Sequence, residues 1–261
     1  MSIVNIASKK VQQGLAEIFS VKEYPIFLSF ASHFLHLSWE NILLLYQQRK
    51  DAVCVAGLLA WEQLTHARLL PKETPLLLLY PEYQEEASGF SYSICSVFDI
   101  GQLQINSEER NRLLRLVSSC NKETLYPAFR SIFQKETGKR VYPLPDSGVR
   151  YLECNGNIVM VPSEAADDEK LRLLLEYYLE LVSDPSDSAL VSGGIRNTTG
   201  YLLSEFYGLS WHKHITFPYL RLLELGIDSK ERILSQSCLK AGRIREDLDQ
   251  YCHDLTETKQ Q

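Results

Sequence analysis

A chain of 261 residues, 45% hydrophobic and 23% charged, is long enough to bury a core in one large domain or two modest ones. Its net charge of −6 argues against general affinity for polyanions, because phosphate contacts come from lysine and arginine. No apolar run reaches the ~18 residues that span a bilayer, so nothing is expected to cross a membrane, and no membrane partner is expected. The six cysteines (Cys54, Cys95, Cys120, Cys154, Cys238, Cys252) form no CxxC pair. They are expected to be reduced and mostly buried in a soluble, cytoplasmic protein. The first residues, MSIVNIASKKVQQGLAEIF, lack the apolar core and cleavage site of a signal peptide.

Charge is unevenly spread. Residues 1–106 carry 7 basic and 10 acidic side chains, 107–150 carry 9 and 5, and 151–261 carry 11 and 18. Any segment that meets phosphates by charge alone is therefore the middle one, although a solvated connector explains its composition equally.

In chain order, residues 5–20 predict an amphipathic helix, with Ile6, Val11, Leu15, Ile18 and Phe19 on one face. YPIFLSFASHFLHLS predicts a second helix opened by Pro25, in which His33 and His36 pack among Phe30, Phe34, Leu35 and Leu37. SWENILLLYQQ predicts a third, with Ser38 as N-cap and Asn41 in place of the Glu or Gln of a capping box. AVCVAGL reads as a short strand and LLAWEQL as a short helix. TPLLLLYP reads as a buried strand ended by Pro81, and FSYSICSVFDI as a second strand across a loop longer than a tight turn.

Two helices follow, in SEERNRLLRLVSSC and LYPAFRSIFQKET, before VYPLPDSG breaks the pattern with two prolines and a glycine. VRYLECNGNIVMVP predicts a hairpin turning at Asn155-Gly156, the pair suited to a type I′ turn. A long helix from about Asp168 to Val182 comes next, then a polar loop containing SGGIRNTTG. TTGYLLSEFYGL predicts a helix ended by Gly208, SKERILSQSCLKAGRIREDLDQYC a final helix, and TETKQQ a frayed tail. The expected class is α+β. The expected division is an α+β domain over 1–106, a helical connector over 107–147, and a mostly helical domain with a β-hairpin over 148–255.

SWENILLLYQQRKDAVCVAGLLAWEQL and the later SVFDIGQLQ resemble the N-terminal domain of ArdC-type antirestriction proteins and their relatives on conjugative elements. Asn41, Gln47, Gly57, Trp61, Phe98, Asp99 and Gln102 stand at the matching positions, over roughly residues 25–104. The resemblance implies a domain associated with single-stranded DNA. Where that family carries a Lys/Gly-rich turn, this chain has THARLLPKETP, without glycine and with His66, Arg68 and Lys72 as donors.

The second half is similar to the zincin-like metallopeptidase domain that follows in that family: a hairpin, an HExxH helix, then a helix supplying a third ligand. The resemblance places Glu176 and Glu180 at the two histidine positions, Tyr177 at the catalytic glutamate, and Asn197 with Thr198 where an acidic ligand is expected. The framework is present without its donors, which implies a pseudoenzyme with no metal or other cofactor.

The residues themselves support that reading. On a helical wheel Leu171, Leu174, Leu175, Tyr178, Leu181 and Val182 share one face, while Arg172, Glu176 and Glu180 share the other, where Arg172 and Glu176 can pair. Zinc prefers nitrogen and sulfur ligands, so two glutamates make a poor site and a wet charged stripe is the simpler account. His212 and His214 are two apart and do not make a site alone. There is no GxSxG, phosphate loop or Cys–His pairing. SGGIRNTTG reads as a surface loop with an N-cap threonine, although anion binding at the following helix start is the functional alternative.

Trp39 and Trp61 lie within apolar helical patterns and are expected in the core. Tyr46, Gln47, Arg49 and Lys50 end a helix and are expected at the surface. With His66, Arg68 and Lys72, and with Arg110, Arg112 and Arg115 in the next segment, they form the candidate DNA-binding set. Three functions stay open: a non-catalytic protein binding single-stranded DNA of a mobile element; an interaction module whose acidic C-terminal half docks a protein; and a hydrolase rebuilt from Glu176, Glu180, His212 and His214.

Overall fold

The computed structural model describes residues 3–65, 67–84, 89–115, 121–144, 152–154 and 156–258, and its class is α+β. It divides into two compact units, Met1–Val117 with Pro218–Ser235, and Ser118–Phe217 with Gln236–Gln261.

The first unit begins with three helices, α1 (Ile3–Ile18), α2 (Glu23–Ser32) and α3 (Trp39–Gln48). Val11, Leu15, Ile18 and Phe19 bury one face of α1, while Ile6 is 45% exposed and leaves the predicted stripe. Phe27 and Phe30 of α2 meet the Tyr46 ring edge-on at 5.3 and 5.1 Å. His33 and His36 are exposed just beyond α2, though each ring packs beside Phe34 as expected, at 6.3 and 6.5 Å between centroids.

Next come β1 (Val55–Ala56), α4 (Leu58–Thr65), β2 (Arg68–Leu69), β3 (Leu76–Gln84), β4 (Gly89–Asp99), β5 (Leu103–Gln104) and α5 (Ser107–Arg115). One antiparallel sheet has the order β1-β4-β3, and β2 pairs antiparallel with β5. The β2–β5 pair was not foreseen, since two-residue strands carry no periodicity. Pro81 does not end its strand, which continues to Gln84. Leu77 and Leu79 turn their backbone groups outward, and Pro81, two residues on, shares that orientation, so its missing N–H breaks no ladder bond. Trp61, Ala67, Phe98, Ile100, Leu103 and Leu113 close a small core shared by α4, β4, β5 and α5.

The second unit contains α6 (Lys122–Thr137), β6 (Arg140–Leu144), β7 (Leu152–Cys154), β8 (Ile158–Pro162), α7 (Asp167–Leu181) and α8 (Ala189–Phe206). The stretch read as a prolyl break supplies β6, which pairs parallel to β8. The predicted hairpin forms between β7 and β8, but Cys154 faces Ile158, so three residues connect them rather than two. Gly156 is left-handed there, at φ 69°, while Asn155 lies outside the described residues.

The segment read as a polar loop is the first half of α8. Ser188 caps that helix, accepting from Val191 N at 3.3 Å, which leaves SGGIRNTTG no helix start at which to hold an anion. Gly208 ends it as expected. At φ 61° it lets its own N–H reach Glu205 O at 3.0 Å and Leu209 N reach Ser204 O at 2.8 Å, a Schellman closure. The short α9 (Tyr219–Glu224), also unforeseen, and the first part of α10 (Ile227–Thr258) belong to the first unit, and the rest of α10 to the second. Residues 259–261 of the expected frayed tail lie outside the described residues.

Cys238 and Cys252 are buried, Cys54 is half-buried and Cys95 is exposed, contrary to expectation for the last. No helix among the described residues is long and apolar enough to cross a membrane.

Candidate nucleic-acid interface

Most of the residues that carry the ArdC-type resemblance satisfy backbone groups. Asn41 spans the edge of β3, accepting from Leu79 N at 2.7 Å and donating to Leu79 O at 2.9 Å. Gln48, two helical turns later, treats Leu77 in the same way, at 2.9 Å for both bonds. Together they pair α3 with an otherwise open strand edge. Ser38, at the N-cap position, makes no side-chain cap bond, and Asn41 makes no capping box because its amide is committed to the sheet.

Trp61 is buried, as expected, and its Nε1 donates to Phe98 O at 2.8 Å. Gly57 O accepts the first bond of α4, from Trp61 N at 3.1 Å. Asp99 is 1% exposed and accepts from Val53 N, Cys54 N and Gly101 N at 2.8, 3.0 and 2.6 Å. Gln102 completes a capping box by accepting from Asp99 N at 2.8 Å, and donates to Glu73 Oε2 and Thr74 O, each at 2.8 Å. Burial and the Asp99 carboxylate together raise the pKa of the Cys54 thiol.

The structure splits the predicted DNA-binding set. Tyr46 is 2% exposed rather than at the surface, and its hydroxyl donates to Glu23 Oε1 at 2.7 Å. Burial, then that bond, push its pKa up to about 12. Lys50 is exposed, yet its ammonium bonds the same carboxylate oxygen and lies 4.6 Å from the Tyr46 centroid. The two donors hold Glu23 below the ordinary carboxylate range, the lysine contributing most, and Glu23 in turn raises Lys50. Gln47 is exposed and donates to Lys10 O at 3.0 Å. A Cβ on Gly14 of α1 would stand 2.1 Å from its Nε2, so a side chain there would push the exposed Gln47 amide aside. Arg49 is half-buried, with Nη1 3.4 Å from Glu73 Oε2 and Nε 3.4 Å from Asp51 Oδ1.

Arg68, Lys72, Arg110 and Arg112 have a different setting, and all four are exposed. Arg68 stands on β2 opposite Gln104 of β5, and α5, which carries Arg110 and Arg112, starts three residues after Gln104. Leu113 of α5, Leu103 of β5 and Ala67 beside β2 meet in one apolar cluster, so Arg68, Arg110 and Arg112 stand on elements that share a single small core. Arg112 pairs loosely with Glu109 at 3.8 Å. His66 and the Arg115 side chain lie outside the described residues.

In the second unit, α7 is buried more widely than its wheel predicts. Leu173, Tyr177 and Leu179 are buried as well, because α6, α8 and β8 all pack on this helix, while Leu181 and Val182 are 41% and 38% exposed. Arg172 and Glu176 are half-buried and Glu180 is exposed, forming a charged strip along the helix. Arg172 donates to Glu176 at 2.6 Å, as its spacing predicts, and also to both oxygens of Glu169, at 2.6 and 2.9 Å. These bonds, Glu169 first, raise the guanidinium pKa. Glu180 lies 3.8 Å from Arg196, Tyr177 packs beside Phe133, and Asn197 donates to Thr216 O at 2.9 Å.

His212 is engaged at both ring nitrogens, Nδ1 with Leu209 O at 2.8 Å and Nε2 with Glu205 at 3.3 Å; the His214 side chain lies outside the described residues. Among the described residues, no three His, Cys, Asp or Glu side chains gather in a way that could hold a metal ion. Sequence reading missed Glu23, Gln48 and Glu73, the acceptors and amide that occupy the predicted cations and strand edge. For Gln48 the signal was its seven-residue spacing from Asn41, which puts two amides on one helix face.

No family model matches the chain, and no curated protein matches it. Two solved structures of the antirestriction protein ArdC from the R388 plasmid are similar to it. The Mn(II)-bound form aligns with a TM-score of 0.47 and 13% identity, covering 80% of this chain and 87% of that one. The metal-free form aligns with a TM-score of 0.46 and 12% identity, covering 82% and 85%.

Proposed function

We propose that this chain is a non-catalytic, ArdC-like protein whose first unit associates with single-stranded nucleic acid through Arg68, Lys72, Arg110 and Arg112. The observation that supports this reading is the exposure of these cations, three of them on elements that share one small core, while Tyr46, Arg49 and Lys50 are occupied by internal carboxylates. Long cationic side chains in solvent meet phosphates at little desolvation cost, and affinity from such contacts is modest and salt-dependent. The second unit serves as scaffold, since Glu176, Tyr177 and Asn197 are engaged in ion pairing, packing and a backbone bond respectively.

Fluorescence anisotropy with a labelled oligothymidine at low salt tests the reading. The parent protein binds, Arg68→Glu/Arg110→Glu/Arg112→Glu abolishes binding, and Arg49→Gln/Lys50→Gln leaves it within about twofold, as expected for side chains away from the phosphates. Equal losses in the two variants would refute it. A protein-docking role is the second reading, favoured by Leu59 and Leu64 on α4, which are 67% and 56% exposed. It predicts a nuclease-insensitive complex lost in Leu59→Ser/Leu64→Ser.

A further inference from the structure

We infer that Lys72 is the contact that fixes how a single strand seats on the first unit; this rests on the nucleic-acid reading above and deepens it. Lys72 is the one described non-glycine residue with positive φ, at 69°. In that region an L side chain crowds its own backbone, whereas glycine sits there freely. Residues held in such conformations by their surroundings cluster at ligand contacts.

The surroundings of this turn hold it firmly. Leu70 N donates to Gln102 O at 2.9 Å, and Glu73 N donates back to Leu70 O at 3.4 Å, closing the turn over Pro71 and Lys72. On the far side Glu73 Oε2 accepts from Gln102 Nε2 at 2.8 Å and lies 3.4 Å from Arg49 Nη1, while Thr74 O accepts from the same Gln102 amide at 2.8 Å. Gln102 is itself 1% exposed and fixed by Asp99 N. The buried Asp99–Gln102 corner thus anchors both ends of a turn whose lysine is exposed. A cation on a pre-set backbone loses less freedom when it meets a phosphate than one on a mobile loop, so it contributes more to affinity. Arg68, four residues earlier on β2, extends the basic surface from the same anchored segment.

Lys72→Gly separates charge from fold, because it removes the ammonium and relieves the left-handed strain together. The probe is a fluorescein-labelled 15-nucleotide oligothymidine at low salt. Lys72→Gly is expected to keep or raise the thermal midpoint and to weaken binding about fivefold or more, against about twofold for Arg110→Gln or Arg112→Gln. Lys72→Arg restores binding to within about twofold, since it returns the positive charge to the same turn. Lys72→Gly binding like the parent, while the Arg68/Arg110/Arg112 reversal loses binding, would overturn the inference and leave the interface standing. Failure of Lys72→Arg to restore binding would also overturn it. A parent protein that does not bind the oligonucleotide would overturn both.

Discussion

At the scale of single residues, the side chains that make this sequence recognisable are mainly those that cannot be exchanged without stranding a backbone group. Asp99 is the clearest. Its carboxylate accepts three N–H bonds in a buried corner, so Asp99→Ala leaves three donors unpaired. At about 1–3 kcal/mol for each stranded group, with partial relaxation, the loss is about 3–5 kcal/mol, read as a fall in the urea midpoint. Asp99→Asn recovers only part of it, because its amide offers one acceptor oxygen.

The Glu23–Tyr46–Lys50 cluster makes a pH prediction. Glu23 has a lowered pKa, so its contribution is present above the ordinary carboxylate range and is lost as pH falls through the folded value. Tyr46 has a raised pKa, so its contribution is intact below pH 10.0 and is lost as pH rises toward about 12. Tyr46→Phe should therefore reduce the alkaline limb of a stability–pH curve, part of which Lys50 carries because its pKa is raised too, while keeping an acid limb. An unchanged alkaline limb would show that the hydroxyl bond is not formed. The sequence showed Tyr46 as a helix-end residue beside two cations and suggested a surface role. Burial against Phe27 and Phe30 depends on how α2 crosses α3, and no local pattern encodes that crossing.

At the scale of elements, the helices were legible wherever apolar periodicity was strong, as in α1, α3 and α7. The errors came where two codes conflict. The stretch from Ser192 to Gly200 is rich in glycine and hydroxylated residues, which reads as loop, yet Ile195, Thr198, Thr199 and Gly200 form a buried face of α8. Tertiary packing overrides propensity there. Likewise β6 is marked by a proline and becomes visible only once β8 is available to pair with it.

The pairing of α3 with β3 carries its own prediction. Asn41→Ala or Gln48→Ala frees both backbone groups of Leu79 or Leu77 respectively. Each change costs about 1–3 kcal/mol. Amide hydrogen exchange should show faster exchange at Leu79 in the first variant and Leu77 in the second, with the Tyr80–Ser93 region of the hairpin unaffected. Exchange that rises uniformly along β3 would mean that the amides do not seal the edge locally.

At the scale of the molecule, a net charge of −6 conceals local basicity: Arg68, Arg110 and Arg112 are exposed on elements that share one small core, and Lys72 is exposed in the turn after β2. Composition alone could rank the middle segment as the most basic but could not separate Arg110 and Arg112, which are exposed, from Lys122, whose ammonium bonds Gly208 O at 2.5 Å. In the second unit Lys135, Arg140 and Arg243 are exposed as well. Its charged strip on α7 is paired internally, and thermal unfolding should be insensitive to added zinc, within about 1 °C. A zinc-dependent rise would return a metal site to consideration, since a ligand that binds only the folded state must stabilise it.

The most direct test is the salt dependence of oligonucleotide affinity. Contacts to single-stranded phosphates lower log K by about 0.7 per contact for each tenfold rise in salt. With four cations engaged, the parent slope should be about −3, and Arg68→Gln/Arg110→Gln/Arg112→Gln should reduce its magnitude to about 1. A slope that is the same in parent and variant, or near zero in the parent, would contradict the assignment of this surface to a nucleic-acid backbone.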